Sequence, residues 1–271
     1  MGEVKVQWVS TTEKTPWENL NVACAEPSAD TLELSGEKYQ YIEGFGGCFN
    51  EQGWDVLSAL DQNERDKVFE ELFHMEKGCK FNYCRLPVGA NDYSLEWYSY
   101  NENDGDYEME KFSIDRDLKY LVPYIKKAQE YNPDIKFFAS PWSPPTWMKY
   151  PKAYNYGTLI WDKKILEAYA LYFMKFVKAY EAQGIKISQI HVQNEPLCDQ
   201  KFPSCLWKGE QLNEFIRDYM GPLFRENNLD TEICLGTING PEEDNRLYDN
   251  YVNLVLSDPE TGKYVKAVGF L

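Results

Sequence analysis

The run His191-Val192-Gln193-Asn194-Glu195-Pro196 puts an amide and a carboxylate side by side at the end of an apolar stretch. Residues 188–193 read as a β-strand, and Pro196 stops the ladder because it has no N–H to donate. The two-residue period of a strand places His191, Gln193 and Glu195 on one side and Ile190, Val192 and Asn194 on the other. A carboxylic acid so exposed can protonate a departing oxygen and, once ionised, take a proton from water. Cleavage of a glycosidic bond requires both acts, together with a second carboxylate below the sugar ring. Asn194 is suited to donate to a sugar 2-hydroxyl, a contact that strengthens as the ring acquires oxocarbenium character. The competing reading of Glu195, a helix-capping carboxylate, is disfavoured by its Asn and Pro neighbours.

Other chemistry-bearing groups fit structural roles better. His191 lies on the same strand and reads as an interior group rather than a base. Cys198 and Cys205 flank a nearby loop, but no further Cys or His pair stands at zinc-ligand spacing, so no metal is expected. The acidic stretch 102–110 reads as a solvated loop.

Glu195 must be positioned by a larger alternation. From Gly44 onward, short apolar runs at 44–47, 81–87, 136–140, 188–193, 232–236 and 266–270 alternate with amphipathic helices, the signature of a parallel α/β sheet. Asp61 with Glu64 makes a capping-box-like start before Val68, Phe69 and Leu72. Ser113 precedes a helix with Leu118, Leu121, Val122 and Ile125 at helical spacing, ending at Asn132-Pro133. The 162–183 segment carries Ile165, Leu166, Tyr169, Phe173, Phe176, Val177 and Tyr180 on one stripe and stops at Gly184. Two more helices are expected near 209–227 and 246–256. The first forty residues differ, reading as short strands at 4–9, 21–25, 31–34 and 39–42 between turn residues.

Six strands do not close an eight-stranded barrel, and a doubly wound sheet matches the count equally well. Polar and aromatic clusters fall on the loops after the strands, which favours a (β/α)8 barrel with about six strands present. Gly44-Phe45-Gly46-Gly47 lacks GxGxxG spacing, which sets nucleotide binding aside. The chain ends inside a predicted strand, so the natural protein is expected to be longer.

Composition narrows the partners. A formal charge of −16 over 271 residues opposes contact with nucleic acid or anionic membranes. Aromatics make up 15% of residues, which suits both barrel packing and a cleft stacking on sugar rings. No segment approaches a membrane span, and the N-terminus has no signal-peptide pattern. Seven cysteines, an odd number, read as reduced thiols. A cytoplasmic protein is expected, or a secreted one whose leader has been removed.

The runs Gly44-Phe45-Gly46-Gly47, Cys84-Arg85-Leu86-Pro87, Phe112-Ser113-Ile114-Asp115-Arg116-Asp117, the ten residues from Ala139 to Met148 (ASPWSPPTWM), and Val192-Gln193-Asn194-Glu195-Pro196 resemble glycoside hydrolase family 30. They occur in the family's order and cover the chain from about Tyr41 to its end. The resemblance implies a (β/α)8 barrel over 41–271, with residues 1–40 as strands of an attached β-sandwich. It also implies a retaining β-glycosidase that needs no cofactor. Glu195 matches the family's acid/base and Asn194 the neighbour that contacts the 2-hydroxyl. Asp92 matches an aspartate that binds sugar hydroxyls, against an Asx-turn reading from its position after a strand. Trp142 matches a tryptophan of the pocket wall. Arg85 looks like the arginine that contacts the nucleophile, and a buried arginine requires a carboxylate partner.

The family's nucleophile is a glutamate on the seventh strand, which would lie beyond Leu271. Glu43 and Glu51 are the local carboxylates near strand one, in a region the family does not use for its nucleophile. The expected substrates are β-linked glucosides or glucans, as for glucosylceramidases, β-glucosidases and β-1,6-glucanases. β-Xylosidases and β-fucosidases share the framework. A non-catalytic, truncated sugar-binding barrel and an isomerase with Glu195 as proton acceptor are the rival classes.

Overall fold

The computed structural model describes residues 6–23, 35–240 and 248–271, and the chain divides into two compact units, Met1–Ile42 and Glu43–Leu271. In the first, β1 (Trp8–Ser10) and β2 (Glu18–Leu20) pair antiparallel, Trp8 opposite Leu20. Of the strand expected at 4–9, the described residues form strand only from Trp8, which continues to Ser10 and pairs with a segment that the apolar pattern did not mark; residues 4 and 5 lie outside the described residues. Residues 21–23 and 39–42 form no strand. The expected strand at 31–34 and the end of the one at 21–25 fall outside the described residues.

The second unit is built on parallel strands. They are β3 (Tyr83–Pro87), β4 (Lys136–Ser140), β7 (Ile187–His191), β8 (Glu232–Ile238) and β9 (Val265–Phe270). Between β4 and β7 a small antiparallel pair, β5 (Lys149–Tyr150) and β6 (Thr158–Leu159), decorates a loop. The large sheet runs β3-β4-β7-β8-β9, every neighbour parallel. Along the other side of β3 runs the first expected strand in irregular form. Phe45 O accepts from the Asn82 and Tyr83 N–H groups at 2.9 and 3.2 Å, and Gly47 O accepts from the Arg85 N–H at 2.9 Å. Gly46 permits this approach, because a Cβ there would stand 2.1 Å from the Tyr83 carbonyl oxygen.

Strands that join in chain order at one edge distinguish this sheet from a doubly wound one, whose order reverses at a switch point. The helices between them bury the stripes read from sequence. Helix α1 (Glu51–Ala59), which the apolar pattern did not reveal, is capped by Asn50, whose side chain accepts from the Gly53 N–H at 2.8 Å. Asp61 caps α2 (Gln62–Phe73) by accepting from the Glu64 N–H at 2.9 Å. Helix α4 (Lys163–Ala182) starts from an Asp162 cap, and Gly184 follows its end at φ +70°. The helix expected at 209–227 is interrupted: α5 (Gly209–Glu214) passes through a π-helical segment, Phe215–Met220, into α6 (Gly221–Glu226). The last helical region holds a π turn, Tyr248–Asn253, then α7 (Leu254–Ser257) and α8 (Pro259–Gly262). Among the described residues no helix is long and apolar enough to cross a membrane.

The helix expected from Ser113 becomes regular only at α3 (Leu121–Tyr131). The turn before it is spent on two buried polar groups. Asp117 accepts from the Tyr98 and Tyr100 hydroxyls at 2.6 Å each and from that of Tyr180 at 2.5 Å. Arg116 donates to the buried Glu51 from Nε at 2.7 Å and from Nη2 at 3.0 Å. These contacts fasten the long β3–α3 loop to α1 and α4, and that loop carries Asp92. The Phe112–Asp117 motif is therefore structural in what it touches.

Burial pushes the Asp117 carboxyl up to about 6, outweighing three hydroxyl donors that favour its ionised form. A carboxyl raised in the fold contributes stability while protonated. That contribution is complete below about pH 4 and is lost as pH rises through about 6. A displacement of this size corresponds to at most about 3 kcal/mol. Asp117→Asn should remove the decline in unfolding free energy between these pH values, as measured by urea unfolding across that range.

Candidate active site

Arg85, at the middle of β3, reaches the carboxyl ends of three neighbouring strands. Its Nε and Nη2 donate to Ser140 Oγ at 3.1 and 2.6 Å. Nη2 also donates to Asn194 Oδ1 at 2.6 Å and to Thr237 Oγ1 at 3.1 Å. Ser140 closes β4, Asn194 follows β7 and Thr237 lies in β8. The guanidinium lies over the Trp142 ring, with Cζ 4.3 Å from its centroid. Burial draws the Arg85 guanidinium down from its usual value, opposed by nearby charges that include Asp92 and Glu195.

The carboxylate partner expected for Arg85 is not within ion-pair distance among the described residues. Three neutral oxygens and an aromatic face take its place, and Asp92 and Glu195 act at longer range. Trp142, expected on the pocket wall, is only 6% exposed and serves Arg85 with its face.

Glu195 departs from the strand alternation that the sequence suggested. Strand β7 ends at His191, and Glu195 adopts φ +45°, the left-handed region that few non-glycine residues occupy. Its N–H donates to Thr237 O at 2.9 Å, and its carbonyl accepts from the Cys198 N–H at 3.0 Å. The turn brings the Asn194 and Glu195 side chains together rather than to opposite sides, with Asn194 Nδ2 3.4 Å from Glu195 Oε2. Strain of this kind is retained where the surroundings over-determine it, as at functional sites. Glu195 remains partly accessible while Gln193 and Asn194 are buried.

A further amide completes the surroundings. Asn239, just after β8, places Nδ2 3.3 Å from Glu195 Oε1 and 2.9 Å from Cys198 Sγ, and its Oδ1 accepts from the Leu197 N–H at 3.3 Å. Sequence reasoning missed Ser140, Thr237 and Asn239 as members of this cluster. Their signal was present as polar residues at the carboxyl ends of barrel strands, where such enzymes keep their chemistry.

Asp92 stays exposed in the β3–α3 loop. Partial desolvation raises its carboxyl above the usual value and the Arg85 charge opposes that rise, which places Asp92 within the electrostatic reach of Arg85. The Asx-turn beside it belongs to Asn91, whose Oδ1 accepts from the Tyr93 N–H at 2.7 Å, leaving the Asp92 carboxylate available. The two local carboxylates of strand one are engaged elsewhere. Glu51 is consumed by Arg116, and exposed Glu43 pairs with Lys136 at 3.0 Å, at the amino end of β4.

These features, an amide–carboxylate pair at a parallel strand's carboxyl end beside a half-buried arginine, stand where parallel α/β barrels carry their chemistry. Comparison with known proteins is specific. The glycosyl hydrolase family 30 TIM-barrel domain matches residues 42–270, and the chain belongs to that family. It is 32% identical over 245 residues to putative glucosylceramidase 3 of Caenorhabditis elegans, covering 88% of this chain and 46% of that protein. It is 30% identical over 243 residues to an endo-1,6-beta-D-glucanase of Neurospora crassa, covering 87% and 48% respectively. The solved endo-beta1,6-glucanase BT3312 superposes with a TM-score of 0.76 at 26% identity, covering 88% of this chain and 53% of its own. The chain thus spans about half the length of the relatives it matches.

His191 is 7% exposed, packs on Phe138 at 4.8 Å between centroids, and abuts Gly269, where a Cβ would stand 2.5 Å from its Cε1. Burial, aided by the Arg85 charge, pushes the imidazole down to about 4. The neutral form is therefore the folded form, and the stability tied to it is present above about pH 6.5 and lost as pH falls through about 4. The His191 ring resonances in NMR should stay at their neutral positions from pH 8 down to about 5. A midpoint near 6.5 would show that the ring is solvated.

Proposed function

We propose that this chain carries the acid/base half of a retaining β-glycosidase, with Glu195 as the proton-transfer group. The observation that supports the reading most is the placement of the Glu195 carboxylate: partly accessible, on a left-handed turn after a barrel strand, with an amide donor near each oxygen. In the first step its acid form protonates the leaving oxygen while a nucleophile attacks the anomeric carbon. In the second its carboxylate takes a proton from the incoming water, which attacks the glycosyl-enzyme and gives net retention. The nucleophile must stand about 5 to 5.5 Å from Glu195, and we place it in residues of the whole enzyme that this chain does not contain.

The other residues follow from their contacts. Arg85 occupies Asn194 Oδ1, so the amide presents only Nδ2 outward, the donor a sugar 2-hydroxyl requires. Arg85 itself lacks an ion-paired anion among the described residues and is placed to receive the nucleophile's carboxylate and keep it ionised. Asp92 is positioned to accept from adjacent sugar hydroxyls. The substrate class is a β-linked glucoside or 1,6-linked β-glucan, in keeping with relatives named glucosylceramidase and endo-1,6-beta-D-glucanase. Residues 1–40 are assigned to a β-rich side domain on the strength of β1 and β2.

In the full-length enzyme, Glu195→Gln should lower turnover of an unactivated β-glucoside by about 10²- to 10⁴-fold, while calorimetry shows sugar binding retained. Unchanged turnover would remove Glu195 from the mechanism. The first-formed anomer, followed by NMR, should be β; an α product would exclude double displacement.

A further inference from the structure

We infer that Asn239 is a positioning residue that sets the direction of the Glu195 carboxylate, an inference that rests on the acid/base assignment above. The orientation of its amide is fixed by chemistry. The Leu197 N–H can only donate, so Asn239 turns Oδ1 toward it, at 3.3 Å, and Nδ2 toward Glu195 Oε1. Asn194 is constrained in the same way, because Arg85 Nη2 claims its Oδ1 at 2.6 Å and leaves Nδ2 for Glu195 Oε2. The carboxylate is thus bracketed by one amide donor per oxygen. Each amide is set by an obligate donor on a different part of the barrel.

The two brackets are not equivalent. Asn194 adjoins Glu195 in the chain and moves with it. Asn239 stands on the neighbouring strand, whose Thr237 carbonyl already accepts the Glu195 N–H at 2.9 Å. It therefore ties both the carboxyl group and the turn that carries it, through Leu197, to the residue that follows β8. The second N–H of the same amide is engaged by Cys198 Sγ at 2.9 Å, which further restrains its rotation. Without Asn239 the carboxyl group gains freedom about its side-chain bonds, and the proton is delivered off line. The loss falls on leaving groups that need protonation and spares those that depart as stable anions.

The test uses the full-length enzyme and a series of aryl and alkyl β-glucosides from dinitrophenyl to methyl. For Asn239→Ala, kcat/KM on the poorest leaving groups should fall about 10- to 100-fold, with less than about 3-fold change on the dinitrophenyl glucoside. Asn239→Asp is nearly isosteric and keeps an oxygen for Leu197 but has no N–H for Glu195; it should steepen the leaving-group dependence at least as much. It decides the matter if the alanine variant does not fold. A uniform loss across the series, or wild-type dependence in Asn239→Asp, overturns the positioning role and indicates packing alone. Glu195→Ala, run alongside, separates the two levels. If it steepens the dependence while the Asn239 variants do not, only the Asn239 inference fails; if it does not, the acid/base reading fails and this inference with it.

Discussion

A half-buried cation stands on β3, at one end of the five-stranded sheet, and much of the site follows from satisfying it. A guanidinium withdrawn even partly from water needs acceptors in the protein, so the hydrogen-bonding edge of Arg85 constrains its neighbours. Ser140 ends β4 two residues past the register partner of Arg85, Asn194 turns its oxygen inward, and Thr237 places a hydroxyl at the far side. Trp142 then covers the flat face. The parallel register, which sets Arg85 beside Phe138 and Pro87 beside Ser140, is what lets one side chain reach across successive strands. The same contact orients the amide next to Glu195, so the chemistry of the carboxylate is prepared from β3.

The parts of this arrangement that repeat along the chain were legible in the sequence. The apolar runs that became β3, β4, β7, β8 and β9, and the stripe of α4, follow from period and capping, which are local properties. Glu195 was legible for another reason: Asn and Pro on either side of a strand-end carboxylate is a rare local pattern. Asp92 was legible only through the ordered motifs, since an aspartate in a turn has an ordinary explanation. Here the neighbouring Asn91 makes the turn and frees it.

Long-range pairings escaped. The alternation rule put Asn194 and Glu195 on opposite sides, and it failed because the Thr237 carbonyl, 42 residues on, captures the Glu195 N–H and holds its φ positive. Beside Arg85, neutral oxygens from distant strands supply the acceptors among the described residues, and no local pattern in the sequence announced them. The irregular start of α3 and the interrupted α5–α6 helix have the same character. Helical spacing continues through them, while side chains such as Asp117 are claimed by groups elsewhere in the fold. Asn239 carried only the weak signal of a polar residue just after a strand, which does not say what it will touch.

The strictly sequential order of the sheet bears on how the protein is made. During synthesis the chain emerges from its amino end, at about 5 to 20 residues per second. Arg85 leaves the ribosome first, and its acceptors arrive one strand at a time: Ser140, then Asn194, then Thr237. Until the last of these emerges, a nascent sheet that had already folded would hold a charge with incomplete solvation. The hydrogen bonds that surround the cation are thus complete only in a sheet that already includes β8.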